Sequence, residues 1–333
     1  MRSTLLILVA AVGLVAFERA HAADDQQAPA TGAVATSSSA PAGATAHQPE
    51  VIVKAQRAEL TQRISTFVNL VTDFNLGDPT RGLARWTLPV CPLVSGFPKQ
   101  WGEYILGRIS EVGQAAGVPL SKEHCHPNLY VLVSKHPDAL LRDLQKRHNE
   151  VVFGGADARV VEGFIATSKP VKTWYNTAER TSDGLPLQQM SFPGMSQTSA
   201  TAGLGTIIVF PEVPKMAPEH STDEWAQASH LTLNVVWAIY EVFVIVDPTQ
   251  FKGVSLGQLA DYICMAGLAQ LRLDTRLEDV PSILTLFDKR PQDASPGMTD
   301  WDRAFLKSVY SSEQKSVVQR SAIARGMIAD IVH

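Results

Sequence analysis

The sequence is short of several things, and each shortage excludes a class of protein. Cysteine occurs three times in 333 residues, too few for a scaffold held mainly by disulfides. Beyond the first two dozen residues no apolar run reaches the roughly 20 residues that a membrane-spanning helix requires. Neither sign of charge is in excess: 29 Lys and Arg stand against 33 Asp and Glu, a net charge of -4. That balance makes no electrostatic case for nucleic acid or an anionic membrane as a partner. Chelating spacings are missing too. His124 and His126 bracket Cys125, and His220 and His230 flank "STDEWAQAS", neither pair at a spacing that suits a metal. No internal repeat is visible.

What is present begins with an export signal. Met1-Arg2, the apolar run Leu5 to Phe17 and the small-x-small exit Ala20-His21-Ala22 make residues 1–22 a secretory signal peptide. Cleavage after Ala22 predicts a soluble periplasmic or secreted product with no membrane insertion, and the absence of a nearby cysteine argues against lipid attachment. The same segment left uncleaved would act as a single-pass anchor. Residues 23–50 are Ala, Ser, Thr, Pro and Gly with almost no large apolar side chain, the composition of a disordered linker. Residues 51–333 have the composition of one globular domain. Without the signal peptide the chain keeps 27 basic and 32 acidic residues, a net charge of -5.

Periodicity organises that domain. Residues 55–75 place Leu60, Ile64, Phe67, Val68 and Val71 at helical spacing. A short strand over Arg85–Leu93, a helix from Trp101 ending at Gly117 and a strand over Asn128–Val133 then form a β-α-β unit. Cys91 and Cys125 flank the two strands of this unit, whereas Cys264 lies far off on an apolar helix, so the expected disulfide is Cys91 with Cys125. In the chain-entropy model such a bridge stabilises by about 3–4 kcal/mol. A helix over Pro137–His148, a strand over 171–179, a Gly/Ser/Thr/Pro-rich loop over 181–204 and a strand or hairpin arm from Gly205 follow. Val242–Val246 reads as a central strand leading through Asp247-Pro248 to a helix that starts near Leu256. The fold class is α/β (α+β), a single domain with a mixed sheet and a C-terminal helical part.

That last helix contains "ADYICMAGL", residues 260–268. Leu256, Leu259, Ala260, Ile263, Cys264 and Gly267 make one core-facing stripe, which alone accounts for it. The same residues also lie along the metallopeptidase pattern HExxHxxGL, in which two histidines one turn apart hold zinc and the glutamate activates water. Gly267 and Leu268 match. Ala260 stands at the first histidine, Asp261 at the glutamate, Cys264 at the second histidine, and Gln270 at the third ligand of metzincins. Downstream, Ser282-Ile283-Leu284 falls where metzincins carry a tight Ser-Ile-Met turn. Thr299-x-x-Asp302-x-x-x-Leu306-x-x-Val309-Tyr310 follows the form of their closing helix.

On these motifs the chain resembles uncharacterised bacterial exported proteins with a degenerate zincin, metzincin-like, metallopeptidase scaffold, best over Val242–Tyr310. The resemblance implies a zincin-like domain that has lost its zinc ligands, hence no metal and no cofactor. It implies a pseudo-metallopeptidase that binds a peptide or protein of the cell envelope beside an exposed sheet edge. The alternative is a divergent hydrolase using Cys264 with Asp261, or a site outside the motif. Trp174 and Tyr175, in "TWYNTAE", are candidate binding anchors with Gln270, although a strand holding two aromatics is equally explained as core. Oligomeric state has no signature in the sequence.

Overall fold

The segment VVWAIYEVFVIV, β5 (Val235–Val246), is apolar at nearly every position, the pattern of a strand covered on both faces. The computed structural model describes residues 48–72, 82–181, 184, 235–277, 280–290, 293–313 and 316–332. The signal peptide, most of the linker, nearly all of the 181–204 loop, the arm from Gly205, His220 and His230 lie outside the described residues. From Pro49 onward the chain forms one compact unit.

β5 is the centre of a five-stranded mixed sheet. β3 (Leu129–Val133) runs parallel to Val242–Val246, and β2 (Pro92–Ser95) runs parallel to β3. β4 (Val171–Thr181) pairs antiparallel along the whole of β5, so β1 (Arg85–Trp86), parallel to Ala238 and Ile239, shares the other edge of β5 with β3. Asn176 opposes Glu241 and Thr177 opposes Ile239, which leaves Tyr240 as a bulge.

Two helical layers cover the sheet. One core joins Val131, Val242, Val244 and Val246 to α1 (Gln48–Val71), α2 (Lys99–Ala116), α5 (Leu256–Leu268), α6 (Asp300–Ser311) and α7 (Ser316–Val332). The other joins Phe243 and Ile245, which alternate to the opposite face, to α3 (Pro137–Phe153) and α4 (Ala158–Ile165). Phe67 of α1 meets Trp301 and Phe305 of α6 edge-on, at 5.6 and 5.9 Å between centroids. Arg85 ties the first strand to the far end of the chain. Its Nη1 donates to the carbonyls of Val309, Tyr310 and Ser312 at 2.8, 3.1 and 2.8 Å, capping the C-terminal end of α6.

The β-α-β unit is as expected, with one change. The stretch expected as a single strand over Arg85–Leu93 is two strands, β1 against β5 and β2 against β3, separated around Pro89. Proline has no N–H for a continuous ladder, and the chain uses the break to move from one neighbour to another. The helix α1 begins at Gln48, two residues before the expected end of the linker. The helix α4 has no counterpart in the periodicity analysis, because at eight residues it is barely two turns long.

Cys91 and Cys125 form a disulfide, with their Cα atoms 6.0 Å apart and a sequence separation of 34. The sulfur between His124 and His126 is therefore not available as a thiolate ligand. No helix among the described residues is long and apolar enough to cross a membrane.

Candidate functional site

The motif helix α5 begins with a capping box. The Gln258 amide N–H donates to Ser255 Oγ at 3.1 Å, and the Ser255 N–H donates to Gln258 Oε1 at 3.0 Å. From Gln258 to Leu268 every residue is buried. The apolar stripe read from the sequence is thus only part of the contact surface: the sheet, α2 and α6 enclose the helix on all sides.

Its free C-terminal carbonyls would otherwise be buried without partners. Three aromatic side chains from distant parts of the chain supply them. Tyr175 of β4 donates its hydroxyl to Ala266 O at 2.7 Å, Trp86 of β1 donates Nε1–H to Gly267 O at 2.9 Å, and the Tyr310 hydroxyl of α6 donates to Leu268 O. Gly267 packs closely on the sheet: a Cβ there would lie 3.0 Å from Leu129 Cδ1 of β3, so any larger residue requires the Leu129 side chain to give way. The Gly-Leu ending shared with the metallopeptidase pattern is, in this structure, the point where α5 stops against the sheet.

Asp261, at the position of the catalytic glutamate, is 5% exposed. Its Oδ1 accepts from Arg108 Nε of α2 at 2.5 Å, and its Oδ2 accepts from the Met298 amide at 2.6 Å. Gly297 passes so close that a Cβ would stand 2.8 Å from Oδ2. The hydrogen bond to Asp261 raises the Arg108 pKa above its already high value, so the guanidinium stays charged. Both carboxylate oxygens therefore hold helices together. A cavity of about 340 Å³ between α2, α6 and α7 is lined by Arg108 and Met298, the two partners of Asp261, and not by Asp261 itself.

Cys264 is fully buried and makes no disulfide. Burial pushes its thiol pKa far up, and the Asp261 charge adds to the effect. A thiol held protonated in the core is a packing group rather than a nucleophile. Ala260 is likewise fully buried and offers no donor atom. Gln270, half-buried, accepts from the Ala84 amide at 3.2 Å through Oε1. The structure thus brings Asp261 and Cys264 into the same core, with Gln270 just beyond the helix end, and employs Asp261 and Gln270 in internal hydrogen bonds. Among the described residues no three His, Cys, Asp or Glu side chains gather as a metal site would need.

The two downstream landmarks are joined to each other. Asp302 of α6, fully buried, accepts from Ser282 Oγ at 2.6 Å through Oδ1. Through Oδ2 it accepts from the Ile283 and Thr299 amides, both at 2.9 Å. The Ser282-Ile283 turn and the start of the closing helix are thus one clasp.

Trp174 and Tyr175 point to opposite faces of β4. Tyr175 reaches α5 as described, and Trp174 packs edge-on against Phe153 and Phe164, donating Nε1–H to Asn176 Oδ1 at 2.9 Å. Both reach partners inside the fold.

A further, half-buried acid lies in the central strand, outside the motif. Glu241 is the one acid in β5, and its Oε2 accepts from Asn176 Nδ2 at 3.1 Å. Burial raises its pKa to about 7, against the opposing pull of that hydrogen bond. A single acid inside a twelve-residue apolar strand was a signal in itself.

Because the folded pKa lies above the unfolded one, the folded state holds this proton more tightly. The associated stability is complete below about pH 4.5 and disappears as pH rises through about 7. The carboxyl is partly solvent-screened, so about 1–2 kcal/mol is expected between about pH 4.5 and about pH 8. Urea unfolding of the wild type and of Glu241→Gln at both pH values measures it. An unchanged difference between the two proteins across that range rules the effect out.

The fold and this site together define a mixed α/β domain whose parallel-dominated sheet is covered on both faces and whose motif helix is sealed. No protein-family model, no curated protein and no solved structure matches the chain.

Proposed function

We propose that this chain is an exported, zincin-like binding module, in which the motif helix is a structural strut and a peptide of the cell envelope binds by strand addition along β4. The observation that carries the reading is β4 itself. It is eleven residues long and, among the described residues, pairs with a strand on one side only.

The ladder identifies which backbone groups face outward. Asp247 N–H donates to Pro170 O at 2.9 Å, so residues 170, 172 and 174 bond toward β5 and the alternate residues turn their amides away from it; Val171 is buried there, and Thr173 is partly exposed. Several features favour the zincin-like part. An antiparallel edge strand lies beside the strand that leads into the motif helix, and the Ser282-Ile283 turn is clasped to the closing helix through Asp302. The disulfide and the leader sequence fit an oxidising compartment outside the cytoplasm.

The test is selection of extended peptides from a displayed library against the purified chain, followed by hydrogen exchange. Selected peptides are expected to slow exchange at the Thr173 amide. Thr173→Pro removes one outward N–H without touching the β5 ladder and should weaken binding about tenfold, the equivalent of one hydrogen bond. Peptides that bind the proline variant equally well and protect nothing on β4 would defeat the reading.

A further inference from the structure

In an open sheet with parallel strands, ligands settle beyond the carboxyl ends of two adjacent strands whose following connections leave to opposite faces, because the diverging backbones open a crevice there. The strands β3 and β5 are such a pair. The chain leaving β3 enters α3 on one face, and the chain leaving β5 enters α5 on the other. A cavity of about 440 Å³ lies at this point, lined by residues that follow β3 and β5 and by the segment that leads into β4.

Its lining is cationic. Lys135, Arg142, Lys169 and Lys172 stand against Asp138 and Asp247, and both acids are already engaged. Asp138 Oδ1 takes the Lys172 ammonium at 2.7 Å. The Asp247 carboxylate accepts from the Thr249 amide and hydroxyl through Oδ1 and from Gln250 Nε2 through Oδ2.

Lys172 is the deepest of the four cations, with its side chain 4% exposed. It donates to Asp138 and, at 2.6 Å, to Ile165 O, which uses two of its three protons. The third has no acceptor among the described residues. Lys135, at the mouth, makes no ion pair among them either. One wall is the start of α3, where Pro137 supplies no N–H and no side chain caps the Asp138 and Ala139 amides. A buried ammonium with an unused proton, a net positive lining and uncapped amides on one wall all call for a compact anion.

We infer that this crevice is a binding site for a phosphoryl group, with Lys135 and Lys172 as its main cationic contacts. It is separate from the outer edge of β4, and it stands or falls independently of strand addition. Arg142 faces Glu162 at 3.7 Å and Lys169 Nζ donates to Leu273 O at 2.7 Å, so the charge offered to a phosphoryl group comes mainly from Lys135 and Lys172. Lysine ammoniums and helix amides recognise such a group as a charge, without the planar fork that favours carboxylates.

The test is titration of the purified full chain with inorganic phosphate, glycerol 3-phosphate and vesicles containing phosphatidic acid. Sodium chloride and sodium acetate at equal ionic strength serve as controls, since general screening must be separated from site binding. At least one phosphoryl probe should bind saturably and raise Tm beyond the chloride control. Which one does so identifies the source as free phosphate, a soluble ester or a lipid headgroup.

Lys135→Glu and Arg142→Glu change exposed residues and should leave folding intact. Lys135→Glu should weaken binding by at least about tenfold, and Arg142→Glu by less. Lys172→Gln, being buried, is informative only where circular dichroism shows a folded variant. The inference is overturned if no phosphoryl probe exceeds chloride, if acetate binds as well as phosphate, or if Lys135→Glu leaves the affinity unchanged.

Discussion

Replacing Asp302 with alanine is expected to lower the unfolding free energy by about 3–5 kcal/mol, a large share of the roughly 5–15 kcal/mol typical of a domain. The side chain is fully buried and gathers four donors: Ser282 Oγ, the Ile283 amide, and the amide and hydroxyl of Thr299. Alanine leaves the two amides without their side-chain acceptor, at about 1–3 kcal/mol each. The Thr299 hydroxyl still accepts from the backbone amide of residue 302, so alanine breaks only the reciprocal half of the capping box.

The substitution Asp302→Asn tells hydrogen bonding from charge. With its amide oxygen placed where Oδ2 stands, the new side chain still accepts from both backbone amides and donates from nitrogen to Ser282 Oγ, whose hydroxyl reorients. Burial already raises the Asp302 pKa above the ordinary carboxylate value, and the hydrogen bonds pull against that rise. Asp302→Asn should therefore cost only about 1 kcal/mol. Urea unfolding of the two variants checks this, and an asparagine variant as unstable as the alanine variant would mean that the charge, rather than the geometry, holds the clasp.

The second large effect concerns the motif helix. Writing histidine back at position 260 should cost about 3–5 kcal/mol, from overpacking and from an imidazole buried without partners. Ala260 is fully buried, with Ile263 and Cys264 equally so, and the helix has no exposed face between Gln258 and Leu268. The triple change Ala260→His, Asp261→Glu, Cys264→His should likewise lose stability and gain no zinc. It also lengthens the acid at position 261, which displaces the carboxylate from the 2.5 Å contact with Arg108 Nε and from the Met298 amide, while Arg108 keeps Glu111 at 2.8 Å. Thermal melts with and without zinc, together with metal analysis, decide the matter. A folded triple variant holding one zinc per chain would show that the space around Ala260 is a site after all.

These two predictions mark how far the sequence carries. Elements whose periodicity spans three or more turns were legible, as in α1, α2 and α5, and the Gly117 stop is a left-handed residue at φ 78°. The pairing of Cys91 with Cys125 was legible because it is local, depending on two strands of one unit. The capping box at Thr299 was readable from its spacing alone. Asp302 as a clasp was not, because its other donors lie 19 and 20 residues back in the chain.

Trp174 and Tyr175 looked alike in sequence, adjacent aromatics in one strand. Alternation sends them to different helical layers, and only the order of strands says which layers exist. The crevice at the ends of β3 and β5 left no local signal, since its cations come from residues 135, 142, 169 and 172 and from three separate elements.

By itself the sequence determined the mixed α/β class, the disulfide and the absence of histidine from "ADYICMAGL". These follow from composition, period and residue identity, which are properties of short stretches of chain. The tertiary structure decided what that stretch is for. Trp86, Tyr175 and Tyr310 converge on its last three carbonyls, and Arg108 and Met298 engage Asp261. Leu129 packs tightly against position 267. Each of these contacts joins residues 37 or more positions apart, and burial, the term that makes them matter, exists only once the layers have closed.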